Sequence, residues 1–81
     1  PCKDQAEIDK YWALLTADGG QESQCGWCKD KFGVSWQVTS KEMEKYLGGP
    51  DAAGAQRATQ AMLKMRKIDL AAMAAAYHGQ A

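Results

Sequence analysis

The stretch QCGWCKDKFGVSWQV, residues 24–38, decides the fold of this chain. Two short runs in it are rich in apolar and aromatic residues, which predicts strands over about residues 24–29 and 34–39. Asp30 and Gly33 occupy the first and last positions of the four residues between them, as a type I turn prefers. The stretch therefore predicts an antiparallel hairpin.

The second strand of the hairpin has two different faces, because side chains alternate along a strand. One face carries Val34, Trp36 and Val38, and the other carries Ser35, Gln37 and Thr39. This alternation predicts that one face packs on helices, while the other lines a polar space or faces solvent.

Each predicted strand contributes one tryptophan, Trp27 or Trp36. We expect the two rings to anchor the sheet against the first helix, because aromatic pairs across neighbouring strands stabilise hairpins. An aromatic pocket that stacks on a ligand is the alternative.

A helix is predicted before the hairpin, over about residues 5–17. Asp4 is a good N-cap, and Glu7 follows three residues later as its capping-box partner. An apolar stripe at helical spacing comes next, formed by Ile8, Tyr11, Trp12 and Leu15. Residues 18–20 (Asp-Gly-Gly) end the helix, and residues 21–23 are predicted as a short edge strand.

Three helical segments are predicted after the hairpin. Residues 39–42 (Thr-Ser-Lys-Glu) have the pattern of a capping box for the first, and Asp51 and Asp69 are N-cap candidates for the other two. Ile68 is placed to pack onto Met73. The predicted fold class is α+β in a single domain, residues 1–81, with the helix and hairpin in residues 1–39 and the C-terminal helices in residues 40–81.

Composition limits the kinds of partner this chain is expected to have. Ten basic and ten acidic residues give zero formal charge, which removes the electrostatic case for nucleic acid or an anionic membrane surface. The longest apolar stretches are far shorter than the ~18 residues that span a bilayer. Three cysteines are an odd number, which argues against a disulfide-stapled secreted scaffold. We expect a cytoplasmic protein.

Cys25 and Cys28 form a Cys-x-x-Cys pattern, for which a redox or metal role has to be weighed. Redox pairs of this spacing normally open a helix, where the helix dipole lowers the thiol pKa. Here the spacing lies on a predicted strand, where residues three apart point to opposite faces. Two half-buried thiols are the expected state. A zinc site would need further ligands, and the only histidine is His78.

The string Cys-Gly-Trp-x-Lys-Asp-Lys-Phe-Gly-x-Ser-Trp-Gln, residues 25–37, resembles the closing hairpin of PhnB-like proteins. These are a branch of the vicinal-oxygen-chelate (glyoxalase/bleomycin-resistance) superfamily, and many carry the label 3-demethylubiquinone-9 3-methyltransferase. The resemblance runs from Cys2 to about Tyr77, and includes residues 5–12 and 61–69.

The resemblance implies that the chain is the C-terminal half of such a domain, built as half of a glyoxalase-like βαβββ module followed by helices. In the family an apolar strand and a whole βαβββ repeat come before the position of Cys2. Pro1 is not an initiator Met, so the chain is expected to be processed, truncated or partly cloned.

In the wider superfamily a divalent metal is held by inward-facing His, Glu or Gln side chains, and the last strand of a module commonly supplies a Glu. Gln37 stands at the matching position and departs from that pattern, since an amide is a poorer ligand for a hard cation than a carboxylate. No second ligand lies on the neighbouring strand. Gln37 is therefore only a weak metal candidate; no catalytic residue is assigned, and no cofactor beyond this possible divalent metal is expected.

The tentative ligand-binding residues are Trp27, Ser35, Trp36 and Gln37. For Gln37 the alternative is a structural amide that hydrogen-bonds to Ser35 or to a neighbouring strand. Methyl transfer is less favoured, because no Gly-rich turn follows a strand in the manner of a nucleotide-binding fold.

Two functions from different classes remain open. The first is a small-molecule-binding or structural module without catalysis, working as a homodimer or with a missing N-terminal module, because a small sheet with an open edge calls for pairing. The second is a metal-dependent enzyme of lyase, dioxygenase or resistance type whose site forms between two modules. The substrate stays open in both.

Overall fold

The computed structural model of the protein describes residues 2–79. In chain order its elements are α1 (Gln5–Thr16), β1 (Gln21–Glu22), β2 (Trp27–Lys29), β3 (Ser35–Gln37), α2 (Met43–Leu47), α3 (Ala52–Leu63) and α4 (Leu70–Tyr77). One helix, a three-stranded antiparallel sheet and three short helices thus follow one another, which confirms the predicted α+β class.

Helix α1 begins and ends where its sequence signals lie. The Asp4 carboxylate accepts a hydrogen bond from the Glu7 N–H at 3.0 Å, and the Glu7 carboxylate accepts one from the Lys3 N–H at 3.0 Å. The helix ends before Asp18 and Gly19, which have φ of 53° and 98°, a backbone conformation that does not continue a right-handed helix.

The three strands pair in the order β1-β2-β3, and β1 confirms the predicted edge strand. Strand β2 begins three residues later than predicted, because Cys25 and Gly26 have φ of 58° and 81°. Their N–H groups donate to the carbonyls of Met65 and Arg66, at 2.9 and 2.8 Å. A distant segment of the chain thus accepts the hydrogen bonds of these two N–H groups, while the Gly26 carbonyl still accepts from the Val38 N–H.

The hairpin turn is a type I turn followed by one additional residue, Gly33, with φ of 83°. The Gly33 N–H donates to the Asp30 carbonyl at 3.0 Å. The Asp30 carboxylate accepts from the N–H groups of Phe32 and Val34, at 2.9 and 3.0 Å, which fixes the turn from inside. The predicted turn is confirmed.

The C-terminal helices pack mainly on one another, and one of their predicted caps is wrong. Asp69 does cap α4, because its carboxylate accepts from the Ala72 N–H at 3.1 Å. Asp51 stands at the predicted N-cap position of α3, but its side chain makes no cap bond. The capping box at residues 39–42 is absent, since the Ser40 hydroxyl accepts from the Glu42 N–H at 3.2 Å and α2 starts only afterwards.

A single hydrophobic core joins α1, one face of the sheet, the start of α2, the segment before α4 and α4 itself. Its most deeply buried side chains are Ile8, Cys28, Ile68 and Met73. The Trp12 indole N–H donates to the Glu22 carboxylate at 3.1 Å, which holds α1 against the sheet. The molecule is elongated, with extents of 40 × 21 × 18 Å, because the C-terminal helices extend the core lengthwise and leave the second sheet face uncovered.

Candidate functional site

The sheet face that points away from α1 carries three of the four residues proposed for ligand binding. Trp27 lies directly opposite Gln37, and Lys29 lies opposite Ser35. Residues directly opposite each other on antiparallel strands share a face, so these four side chains form one exposed surface. We call Trp27, Lys29, Ser35 and Gln37 the open face.

Trp36, the fourth proposed residue, lies on the other side of the sheet, opposite the buried Cys28. The predicted pairing of Trp27 with Trp36 is therefore wrong: the two rings are on opposite faces, and both are nearly half exposed, at 46% and 47%. Trp27 does not anchor the sheet on α1. The buried contact with α1 is made instead by Cys28.

The Trp36 indole has a specific polar partner at the hairpin turn. Its N–H donates to the Asp30 carboxylate at 2.9 Å. This hydrogen bond is the main cause that holds the pKa of the Asp30 carboxyl below its ordinary value of 3.8. Desolvation opposes the shift, and the N–H groups of Val34 and Phe32 lower the pKa further. The ring is thereby fixed at the sheet edge.

Gln37 has a local hydrogen-bond partner, as its structural alternative predicts. Its side-chain NH₂ group donates to the Cys25 carbonyl at 3.2 Å. This hydrogen bond also fixes the orientation of the amide oxygen. The neighbouring side chains on the open face are an indole, a hydroxyl and the Lys29 ammonium. A lone amide oxygen near an ammonium group does not fit a divalent cation, which needs several oxygen ligands. Within residues 2–79 no three His, Cys, Asp or Glu side chains are grouped as metal ligands.

Cys28, the second cysteine of the pair, lies in an unreactive environment. Cys28 is buried, and that burial raises the pKa of its thiol, with the Asp30 and Glu22 carboxylates acting in the same direction. A raised pKa keeps the thiol protonated, and a protonated thiol is a poor nucleophile and metal ligand. Cys25 is half-buried in the turn before β2 and not on the strand as predicted, but both thiols are free.

A groove of about 490 Å³ lies between α1 and β3, on the α1 side of the sheet. Its walls are largely apolar and include Tyr11, Leu15, Trp36 and Val38, and Cys2 lies at one end. Tyr11 and Leu15 belong to the apolar stripe predicted for α1. The 43% exposure of Tyr11 shows that the α1 stripe is wider than the surface that covers it.

The edge of β3 beside this groove is the side on which Cys2 pairs with the chain that follows β3. Along β2 and β3 the hydrogen-bonded pairs include Asp30 with Val34 and Gly26 with Val38. The backbone N–H and C=O groups of consecutive residues point to opposite sides of a strand. Since Val34 and Val38 bond to β2, the backbone groups of Ser35 and Gln37 point away from it. Further along, the Cys2 N–H donates to the Thr39 carbonyl at 2.7 Å, in a parallel bridge between Cys2 and Ser40.

The candidate site is the uncovered face of a small antiparallel sheet in an α+β module, and the apolar groove lies on the opposite side of that sheet. Residues 1–39, just under half of the chain, match the family described as 3-demethylubiquinone-9 3-methyltransferase. These residues comprise α1 and the whole sheet. No curated protein matches the chain.

The family match ends where the hairpin ends. It supports the resemblance seen over residues 25–37, while the resemblance over residues 61–69 stays a prediction. The described sheet is antiparallel in all three strands, whereas nucleotide-binding folds that bring a Gly-rich turn to a phosphate are built on parallel strands. No helix among residues 2–79 is long and apolar enough to cross a membrane.

Proposed function

We propose that this chain is a cytoplasmic glyoxalase-like module that binds a small molecule on its open face and works as a homodimer, without a catalytic metal of its own. The observation that carries the proposal is the open face itself. Trp27 offers an aromatic surface, Ser35 and Gln37 offer polar groups, and all three are exposed. Ligand sites typically combine aromatic or apolar walls with a few polar groups that orient the ligand.

The chemistry of the open face favours a planar, neutral or weakly anionic ligand. The Trp27 ring is available for stacking, and aromatic pairs prefer an offset arrangement that leaves the rim of a ligand free for hydrogen bonds. The Gln37 amide oxygen and the Ser35 hydroxyl are the polar groups nearest to such a rim. Lys29 adds one positive charge at the same surface.

A thermal shift experiment with 1,4-naphthoquinone as a planar probe tests ligand binding. A ligand that binds only the folded state raises the melting temperature by mass action. We expect an increase for the natural chain, and a smaller or absent increase for Trp27→Ala and Gln37→Ala. Lys41→Ala is the matched control, since Lys41 is exposed and lies outside the sheet. Equal shifts in all four proteins would contradict the proposal.

Chelation separates this function from the metal-dependent enzyme alternative. Ethylenediaminetetraacetate should leave the melting temperature of the purified protein unchanged, because the open face has no set of ligands that fits a divalent cation. A lower melting temperature after chelation, restored by Mn²⁺, Fe²⁺, Ni²⁺ or Zn²⁺, would support the enzyme alternative, with the remaining ligands supplied by a second module.

A further inference from the structure

Resting on the ligand site proposed above, we infer that the open face binds a planar aromatic carboxylate, with the ring of the ligand on Trp27 and its carboxylate at Lys29. Both residues lie on β2, the central strand of the sheet, so whatever pairs with either sheet edge does not enter the site. Charge, hydrogen-bonding capacity and spacing on this face each favour an acid group at Lys29.

The strand register surrounds these two residues with neutral polar side chains. Trp27 lies opposite Gln37, and Lys29 lies between Gln21 of β1 and Ser35 of β3. Opposite residues on antiparallel strands share a face, so Gln21 extends the open face on the β1 side. All five side chains are exposed, and Lys29 carries the only charge among them.

The carboxylates next to Lys29 on β1 and β2 are engaged on the other side of the sheet. The Asp30 carboxylate accepts from the Trp36 indole N–H at 2.9 Å, and the Glu22 carboxylate accepts from the Trp12 indole N–H at 3.1 Å. None of the ion pairs found among residues 2–79 uses Lys29. Its ammonium group is therefore a positive charge that an anionic ligand can pair with.

The two ends of the open face differ in the hydrogen bonds they offer. At one end the Lys29 ammonium and the Ser35 hydroxyl are both donors. At the other end the Gln37 NH₂ group already donates to the Cys25 carbonyl, and the amide oxygen is an acceptor. A carboxylate only accepts hydrogen bonds, so it fits beside Lys29 and Ser35, and a hydroxyl or amino group of the ligand fits beside Gln37.

The spacing along β2 suits a carboxylate attached directly to an aromatic ring. Side chains two residues apart on a strand point the same way and are separated by about 6.6 Å. Aromatic rings stack with an offset, and an offset from Trp27 toward Lys29 brings a ring-bound carboxylate within reach of the flexible lysine side chain. An aliphatic acid would lack the stacked ring, and a neutral ring would leave the ammonium group unpaired.

A matched pair of ligands separates the effect of the carboxylate from that of the ring. The probes 2-naphthoate and 2-naphthamide share one ring system, and only the first is charged at neutral pH. An NMR titration that follows the Trp27 indole N–H signal gives a Kd for each. We expect the natural chain to bind 2-naphthoate about two- to fivefold more tightly, the range of an exposed ion pair. Salt at about 1 M, where the Debye length is about 3 Å, should remove this preference.

Three variants assign the preference to one side chain. Lys29→Gln should bind the two probes with equal affinity, whereas Lys29→Arg should keep the preference for 2-naphthoate. Lys31→Gln is the matched control, because it removes the same charge from the hairpin turn, where the Lys31 ammonium lies over the Phe32 ring. It should keep the preference of the natural chain.

The outcomes distinguish the carboxylate from the ligand site itself. Equal affinity of the natural chain for both probes would overturn the carboxylate inference and leave the ligand site standing. A preference lost equally in Lys29→Gln and Lys31→Gln would overturn it as well, since the effect would then come from net charge. If neither probe shifts the Trp27 signal, the proposed binding function fails together with this inference.

Discussion

At the scale of single residues, two glycines with the same backbone conformation have different surroundings. Gly26 and Gly33 have φ of 81° and 83°. A Cβ on Gly26 would lie 2.9 Å from the Val38 carbonyl oxygen and 3.0 Å from the Ile68 side chain, whereas a Cβ on Gly33 would meet nothing within 4 Å. Only Gly26 therefore combines the left-handed conformation with a close approach between the sheet and the segment before α4.

We expect Gly33→Ala to lower the free energy of unfolding by about 1–2 kcal/mol, the cost of a side chain in the left-handed region. Gly26→Ala should lose a further ~1–3 kcal/mol, because the new methyl group overpacks against Val38 and Ile68. Urea denaturation of both variants and the natural chain measures the difference. An equal loss of unfolding free energy in both variants would mean that Gly26 does not lie in close contact with Val38 and Ile68.

Asp30 provides a pH-dependent prediction at the same scale. Its pKa is lowered in the folded protein, chiefly by the Trp36 indole N–H, so the unfolded chain binds the proton more tightly. The stabilisation is present above the unfolded pKa and is lost as the pH falls through the lower, folded pKa. The relevant window is thus acidic, below the ordinary value of 3.8.

Replacing the indole N–H checks this assignment. Trp36→Phe removes the donor and keeps an aromatic ring, so an NMR titration should show a higher pKa for Asp30 than in the natural chain. Asp30→Asn should flatten the dependence of the melting temperature on pH below about pH 4. An unchanged pKa of Asp30 in Trp36→Phe would assign the shift to the turn N–H groups.

At the scale of secondary-structure elements, the N-cap residues of the helices differ in whether their side chains make a capping hydrogen bond. Asp4 and Asp69 accept hydrogen bonds from the first turns of α1 and α4, and Asp51 makes no such bond to α3. We expect Asp4→Ala and Asp69→Ala each to reduce stability by ~1 kcal/mol. Asp51→Ala should cost clearly less, since its ion pair with Arg57 is long, at 3.9 Å, and exposed.

Chemical denaturation of the three cap variants gives the comparison, with Asp51→Ala as the internal control. A loss at Asp51 as large as that at Asp4 would show that α3 depends on a side-chain cap after all. In that event the α3 start would resemble the starts of α1 and α4, contrary to the hydrogen bonds of the structure.

Local signals were enough to predict α1 and the hairpin turn, because their determining contacts lie within a few residues. The contacts of Asp4 with Glu7, and of Asp30 with Phe32 and Val34, are of this kind. The start of β2 could not be predicted, because it depends on hydrogen bonds to Met65 and Arg66 some forty residues away. Their carbonyls take the N–H groups that a longer strand would have used.

Gly33 decides whether Trp27 and Trp36 lie on the same face of the sheet or on opposite faces. With Gly33 as an additional residue after the turn, Asp30 pairs with Val34, and Trp36 falls opposite Cys28. A turn shorter by one residue would have placed Trp36 opposite Trp27. A one-residue change of register moves every side chain of a strand to the other face, which is why Trp27 lies with Ser35 and Gln37. Trp36 lies apart from Ser35 and Gln37 in any register, because side chains alternate along β3.

At the scale of the whole molecule, the sheet has one open face, and the family match extends over the part of the chain that forms it. A three-stranded sheet is small, and small sheets gain stability from further packing or pairing. The proposed homodimer would supply such pairing, and the proposed ligand site lies on the open face.

Native mass spectrometry of the purified chain is the measurement that tests the central claim most directly, because it reports assembly and bound metal together. The account predicts a dimer without stoichiometric metal, which dissociates on dilution. A chain that stays monomeric at every concentration, or a dimer that carries Fe, Ni, Zn or Mn in stoichiometric amount, would contradict it.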